Sequence, residues 1–229
     1  MKKAKGKQYG YGLVLGLLWS VGLMSGVGPA SAQARGGAER ERPLGINVLV
    51  YNYTQVSRKD LAEAEWESGA ILAKAGIQIS WLHCPAPACE QPPSPTSLTV
   101  NVLPESMADA LQADGDAFGS AIASTDGSPS IRCYIFYDRV RALTRQFGYS
   151  PGSTLGSVMA HEFGHLLLET GGHTSIGIMR ARWSREDLLA AARGFLRFTP
   201  EQAERMRSGV RRRAQSQPVE GIAAATASK

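Results

Sequence analysis

The stretch HEFGHLLLETGGHTSIGIM, residues 161–179, contains three of the four histidines in the chain. His161 and His165 are four positions apart. On a helix that spacing is about 6 Å of rise with both rings on one face, so the two imidazoles can converge on one ion. Val158, Met159, Phe163, Leu166, Leu167 and Leu168 surround them, which predicts a core helix entered through SPGSTLGS and running to about Thr170. Two histidines and a glutamate buried on such a helix need partners, and a bound metal supplies one. Glu162 lies beside the pair. In the H-E-x-x-H arrangement that glutamate reaches a water at the metal and acts as general base.

A third protein ligand has two candidates. His173 follows His165 by eight residues, just after Gly171 and Gly172, which can take the left-handed conformation that ends a helix and reverses the chain. A residue after such a reversal faces the helix it has left. Glu186 follows His165 by 21 residues and would come from a second helix. Glu186 is also explained as a first-turn helix acid, so His173 is the preferred ligand. Glu169 lies about 12 Å along the helix from His161 and is too far away to share the ion.

These residues resemble the metzincin clan of zinc metallopeptidases, whose pattern runs H-E-x-x-H-x-x-G-x-x-H, followed by a methionine-bearing turn. HEFGH matches the core of the pattern, GGH stands for its glycine and third histidine, and GIM supplies the methionine, Met179. The departures are specific. His173 comes two residues late, Leu168 stands where the glycine should be, and Trp183 rather than a tyrosine follows the methionine. The resemblance implies a zincin-like fold and a Zn2+ ion held by His161, His165 and His173. It also implies peptide-bond hydrolysis with Glu162 as base, and Met179 packed beneath the rings. A non-catalytic module with structural zinc, or a zinc amidase acting on cell-wall or small amide bonds, are the alternatives.

Working outward, INVLVYNY (46–53), IQISWL (77–82), LTVNVL (98–103) and IRCYIFY (131–137) have strand composition, and AFGSAIAS (117–124) suits an edge strand. Between the first two strands, Ser57 can cap a helix in which Leu61, Ala64, Trp66, Ile71, Leu72 and Ala75 recur at helical spacing and Gly76 ends the run. That order implies a parallel pair. Further helices are expected in DRVRALTRQFG, SREDLLAAARGFL and TPEQAERMRSGVRRR. The sum is an α+β fold: a twisted mixed sheet of four to five strands, an active-site helix and C-terminal helices. The edge segment AFGSAIAS could hold an extended peptide by strand addition.

The N-terminus has a basic start, MKKAKGK, then an apolar run, then Ala30 and Ala32 in an A-x-A pattern. It reads as a signal peptide over 1–32 that is removed on export. The run is just long enough to span a membrane, so an uncleaved anchor is the alternative. A flexible segment is expected over 33–45, one domain over 46–215 and a disordered tail over 216–229.

Taking Lys2, Lys3, Lys5 and Lys7 away with the leader leaves 21 of 25 basic residues against 20 acidic ones. A near-neutral domain does not imply a nucleic-acid partner, and RMRSGVRRR (205–213) reads as a solvated helix face. The expected partner is a peptide or protein substrate, met by a secreted or periplasmic monomer. Cys84 and Cys89 bracket a proline-rich loop and are expected to form a disulfide. Cys133 reads as a buried strand thiol, although sequence alone also allows a pairing through it.

Overall fold

The computed structural model describes residues 44–216, apart from 93, 123, 125–128, 130 and 169–171. The leader, nearly all of the 33–45 segment and the tail beyond Ser216 lie outside the described residues.

Twelve elements follow in order: β1 (Leu44–Asn52), α1 (Arg58–Lys74), β2 (Ile77–Cys84), a 3-10 turn (Pro87–Glu90), β3 (Ser97–Leu103), α2 (Glu105–Ala110), β4 (Gly119–Ile122), β5 (Arg132–Phe136), α3 (Tyr137–Phe147), α4 (Pro151–Leu168), α5 (Arg185–Ala192) and α6 (Pro200–Gln215). The strands form one mixed sheet in the order β2-β1-β3-β5-β4. β1 is parallel to β2 and β3, and β3 is parallel to β5. Only β4 runs antiparallel, paired with β5 at the sheet's edge. The fold is therefore α+β with a five-stranded mixed sheet. β1 begins at Leu44, so Leu44 and Gly45 belong to the sheet, paired with Ile77 and Gln78, and not to a flexible lead-in.

Local chemistry explains the element ends. Ser57, Ser184 and Thr199 each accept a backbone N–H three residues on, and the last two form reciprocal capping boxes with Asp187 and Gln202. Gly76 follows α1 at φ +82, a conformation that costs glycine nothing. Cys84 and Cys89 are disulfide-bonded, which suits a non-reducing environment, and Cys133 is a free, buried thiol on β5.

Val48, Val50, Val100, Val102 and Ile135 from the sheet share one core with Leu72 of α1 and Phe163 and Leu167 of α4. After its first residue, every position of α4 is buried except His165. α1 crosses α4 almost backbone to backbone. A Cβ at Gly156 would stand 2.6 Å from the Ala64 carbonyl oxygen and 2.7 Å from Cβ of Glu67, and one at Gly152 would stand 2.8 Å from the Asp60 carbonyl oxygen. That crossing places Glu67 and Ser68 of α1 in the interior. Trp66, expected on the apolar face, is instead 71% exposed. It lies about 140° round the helix from Leu61, so it points away when Leu61, Ala64, Ser68, Ile71 and Leu72 point in.

The basic stretch of α6 is a solvated face in part, with Arg205 and Arg212 exposed, but it also serves the interior. Arg213 is buried and donates to the Leu166 carbonyl, Arg205 donates to the Leu168 carbonyl, and Arg207 to the Ala75 carbonyl at 2.8 Å. Two arginines thus satisfy carbonyls in the last turn of α4, where a helix lacks its own donors and favours positive charge. Among the described residues, no helix is long and apolar enough to cross a membrane.

The crossing gives a paired prediction. Ala at Gly69, where an added Cβ meets nothing within 4 Å, should stabilise α1 by about 0.5–1 kcal/mol through helix propensity. The same change at Gly156 should cost about 1–3 kcal/mol, because overpacking outweighs that gain. Urea unfolding of both variants decides the matter, and equal effects would contradict the close crossing.

Candidate functional site

The site is built on the C-terminal half of α4. The Nδ1 atom of His161 lies 2.7 Å from the Ile178 carbonyl oxygen. A carbonyl only accepts, so Nδ1 carries the proton and Nε2 is left as a lone pair. The Nε2 atom of His165 meets that lone pair at 3.1 Å. His173 closes the group, with its ring centroid 5.4 Å from that of His161 and 4.8 Å from that of His165. One nitrogen of each ring lies within 4.8 Å of the others, so the three histidines can hold a metal ion. They grade from buried His161 through half-buried His165 to exposed His173, which opens the group to the cleft on one side.

His173 arrives here because the chain after α4 returns and is tied down. The N–H of Thr174 bonds the Met179 carbonyl at 2.7 Å, and its hydroxyl accepts from Nε2 of Gln202 at 3.1 Å. Gly177 turns this loop at φ +72, where a Cβ would stand 2.8 Å from the Arg197 carbonyl oxygen, and the N–H of Ile178 bonds that same carbonyl at 2.9 Å. Of the two glycines expected to reverse the chain, Gly171 lies outside the described residues.

Met179 is fully buried, with its sulfur against Gly164, the residue before His165. A Cβ at Gly164 would overlap that sulfur, at 2.4 Å. Trp183 stands edge-on to His161, with ring centroids 5.8 Å apart, and donates its indole N–H to the Ile178 carbonyl at 3.1 Å. One carbonyl therefore orients both the imidazole and the indole. Glu186 is exposed in the first turn of α5 and does not join the histidines.

Glu162 is buried at the side of the site, under β4. It accepts the backbone N–H of Ala121. Gly119 lies so close that a Cβ there would stand 2.6 Å from Oε1 of the carboxyl. Burial pushes its pKa up to about 8, opposed by the Ala121 N–H. Burial likewise lowers His161 and His165 to about 4 each; the Ile178 carbonyl opposes this at His161, and the neighbouring histidines add to it. Without an ion, burial therefore favours the uncharged forms of His161, His165 and Glu162. A cation among them would favour the ionised form of Glu162. Behind it, the Cys133 thiol is pushed up by burial and by the nearby Glu162 charge, which makes it a poor nucleophile.

A cleft of about 800 Å³ opens over these groups. The run from Ala117 to Ile122 forms one wall and Arg180 to Trp183 the other, with Leu143, Val158 and Leu188 also lining it. Arg180 is paired with Asp187 at 2.8 Å, and Arg182 reaches across to Asp116 at 3.8 Å. The sequence reading missed the roles of Gly119, Ala121 and the Ile178 carbonyl. A glycine within a strand is a signal for close backbone approach, so Gly119 could have been flagged. Backbone groups leave no residue-type signature.

No family model matches the chain, and no curated protein matches it.

The metal group makes a binding prediction. Metal-free protein dialysed against a divalent transition metal should take up one equivalent. Ala at His161, His165 or His173 should weaken uptake by more than roughly a hundredfold, whereas Trp183→Phe, which removes only a supporting hydrogen bond to the same carbonyl, should cost about tenfold or less. Glu186→Gln should change nothing. Loss of uptake in Glu186→Gln with uptake retained in His173→Ala would overturn this ligand set.

Proposed function

We propose that the chain is an exported zinc metallopeptidase of metzincin-like type that uses Glu162 as general base. The observation that carries this reading is the pairing of three convergent imidazoles with a buried carboxyl, side by side on the floor of an open cleft.

The donor set fits zinc. Tetrahedral zinc at about 2.0–2.1 Å from imidazole nitrogens keeps its donors about 3.3 Å apart. Nε2 of His161 and Nε2 of His165 are 3.1 Å apart. The proton that His161 gives to the Ile178 carbonyl is the outer hydrogen bond that metal-ligating histidines commonly make. A structural zinc site closes with four protein ligands, and the described residues offer three. When bound, zinc would supply Lewis acidity, which makes water acidic enough to attack at neutral pH and polarises the carbonyl under attack.

The remaining steps belong to the chain. The Ala121 N–H holds the Glu162 carboxylate at the cleft floor. From there Glu162 takes a proton from the attacking water and returns it to the leaving nitrogen as the C–N bond breaks. β4 is an edge strand, so an extended peptide can add along its outer side, which lines the cleft. The apolar leader and the disulfide support export.

Glu162→Gln is the test. The variant should bind zinc as the parent does and lose hydrolysis of an unfolded protein substrate by roughly 10²–10⁴-fold, the contribution of general acid–base catalysis. Parental hydrolysis rates in that variant would refute the assigned role. Metal uptake without hydrolysis in the parent would favour a non-catalytic module instead.

A further inference from the structure

Arg139, near the start of α3, does not line the cleft, yet its guanidinium is tightly held. The Nε atom donates to both oxygens of Glu105 at 2.9 and 3.0 Å, and Nη2 donates to Oε1 of Glu105 at 2.7 Å. The Nη1 atom donates to the Ala117 carbonyl at 2.9 Å and to the Asp114 carbonyl. The guanidinium also lies 4.8 Å over the Phe136 ring, and the side chain is only 11% exposed.

The two carbonyls belong to one turn, closed by the N–H of Ala117 bonding the Asp114 carbonyl at 3.0 Å. Ala113 and Ala117 of this segment pack on a small cluster of Leu103, Ala108 and Phe136, apart from the main core. The chain then runs directly into the site. The Phe118 carbonyl accepts from the N–H of Phe136 at 2.9 Å, Gly119 lies against the Glu162 carboxyl, and Ala121 donates to it. β4 is four residues long and paired on one side only, so its own ladder holds it weakly.

We infer that Arg139 is a positioning residue for the proposed hydrolysis. By fastening the turn at 114–117 to α2 and α3, it sets the place of β4 and, through β4, the orientation of the Glu162 carboxylate. The role requires a planar fork that meets a carboxylate with two donors and two carbonyls with the rest, which an ammonium group cannot reproduce. Glu105 is partly exposed, so its partner's loss can be met by water. What is lost is placement more than folding. The histidines stand on α4 and on the loop at 173–180, off this path, so the metal group should not register the change.

The inference rests on the peptidase reading for its rate effect but not for its structural effect, and the experiment separates the two. In Arg139→Met, kcat for peptide hydrolysis should fall roughly ten- to a hundredfold, the cost of misplacing a reacting group. Zinc affinity should stay within about twofold, since no ligand or ligand partner is touched. Hydrogen exchange at the Ala121 amide should quicken by about tenfold or more as β4 loosens. Arg139→Lys should stay slow, and added guanidinium ion should restore part of the rate in Arg139→Ala but not in Arg139→Lys. Glu105→Gln, which keeps the arginine, should shift rate and exchange in the same direction by less, and it serves where Arg139 variants fail to fold.

Parental kcat and parental Ala121 exchange in folded Arg139→Met would overturn the inference. So would a slower kcat with unchanged exchange and no guanidinium rescue. If the parent hydrolyses no peptide, the peptidase reading fails, and Ala121 exchange alone decides whether Arg139 holds β4.

Discussion

α4 has almost no exposed surface, yet it carries two imidazoles and a carboxyl in its C-terminal half. Burial of such groups is unfavourable unless each finds a partner, and the surrounding structure can be understood as the set of those partners. The Ile178 carbonyl takes the His161 proton, the Ala121 N–H meets Glu162, and His165 and His173 face His161 across a space suited to an ion. The helix is in turn fixed from outside. α1 lies against it with no room for a side chain at Gly152 or Gly156, and arginines of α6 satisfy its last carbonyls. Tight packing of this kind limits how far the rings can drift, which is what a convergent donor set needs.

The open and closed sides of the site divide its labour. Met179 and the turn at 174–180 lie beneath and beside α4, and through Thr174 they hold His173 at the exposed side. β4 covers the opposite side, contacting Glu162 with a glycine and a backbone amide. The cleft runs between these two walls. In the proposed mechanism the ion would sit against the first wall and the substrate along the second, with Glu162 between them to move the proton.

Much of this was legible in the sequence, for identifiable reasons. The spacing of His161 and His165, the later His173 and the methionine at 179 are side-chain signals, and they mark positions that the structure brings together. Strand composition located β1, β2, β3 and β5 to within two residues, because β-branched and aromatic runs stand out there, and the small-residue, glycine-bearing run did the same for the edge strand β4. Other features left weaker traces. Trp66 shares a spacing with apolar residues but not their face. The arginines of α6 carry charge, which reads as solvated until the carbonyls they serve are visible. The Ile178 carbonyl and the Ala121 amide are backbone groups, and their placement depends on tertiary folding alone. Arg139 acts on a turn more than 20 residues earlier in the chain, a relation that periodicity does not encode.

The most direct test of the central claim is the metal's inner ligand shell, read by X-ray absorption on protein purified with its native metal and checked by a crystal structure at the zinc edge. The account predicts zinc held by three imidazole nitrogens, from residues 161, 165 and 173, with a fourth position that exchanges with added azide or hydroxamate. Four protein ligands, a carboxylate in place of the ring of His173, or protein that retains no transition metal would contradict it.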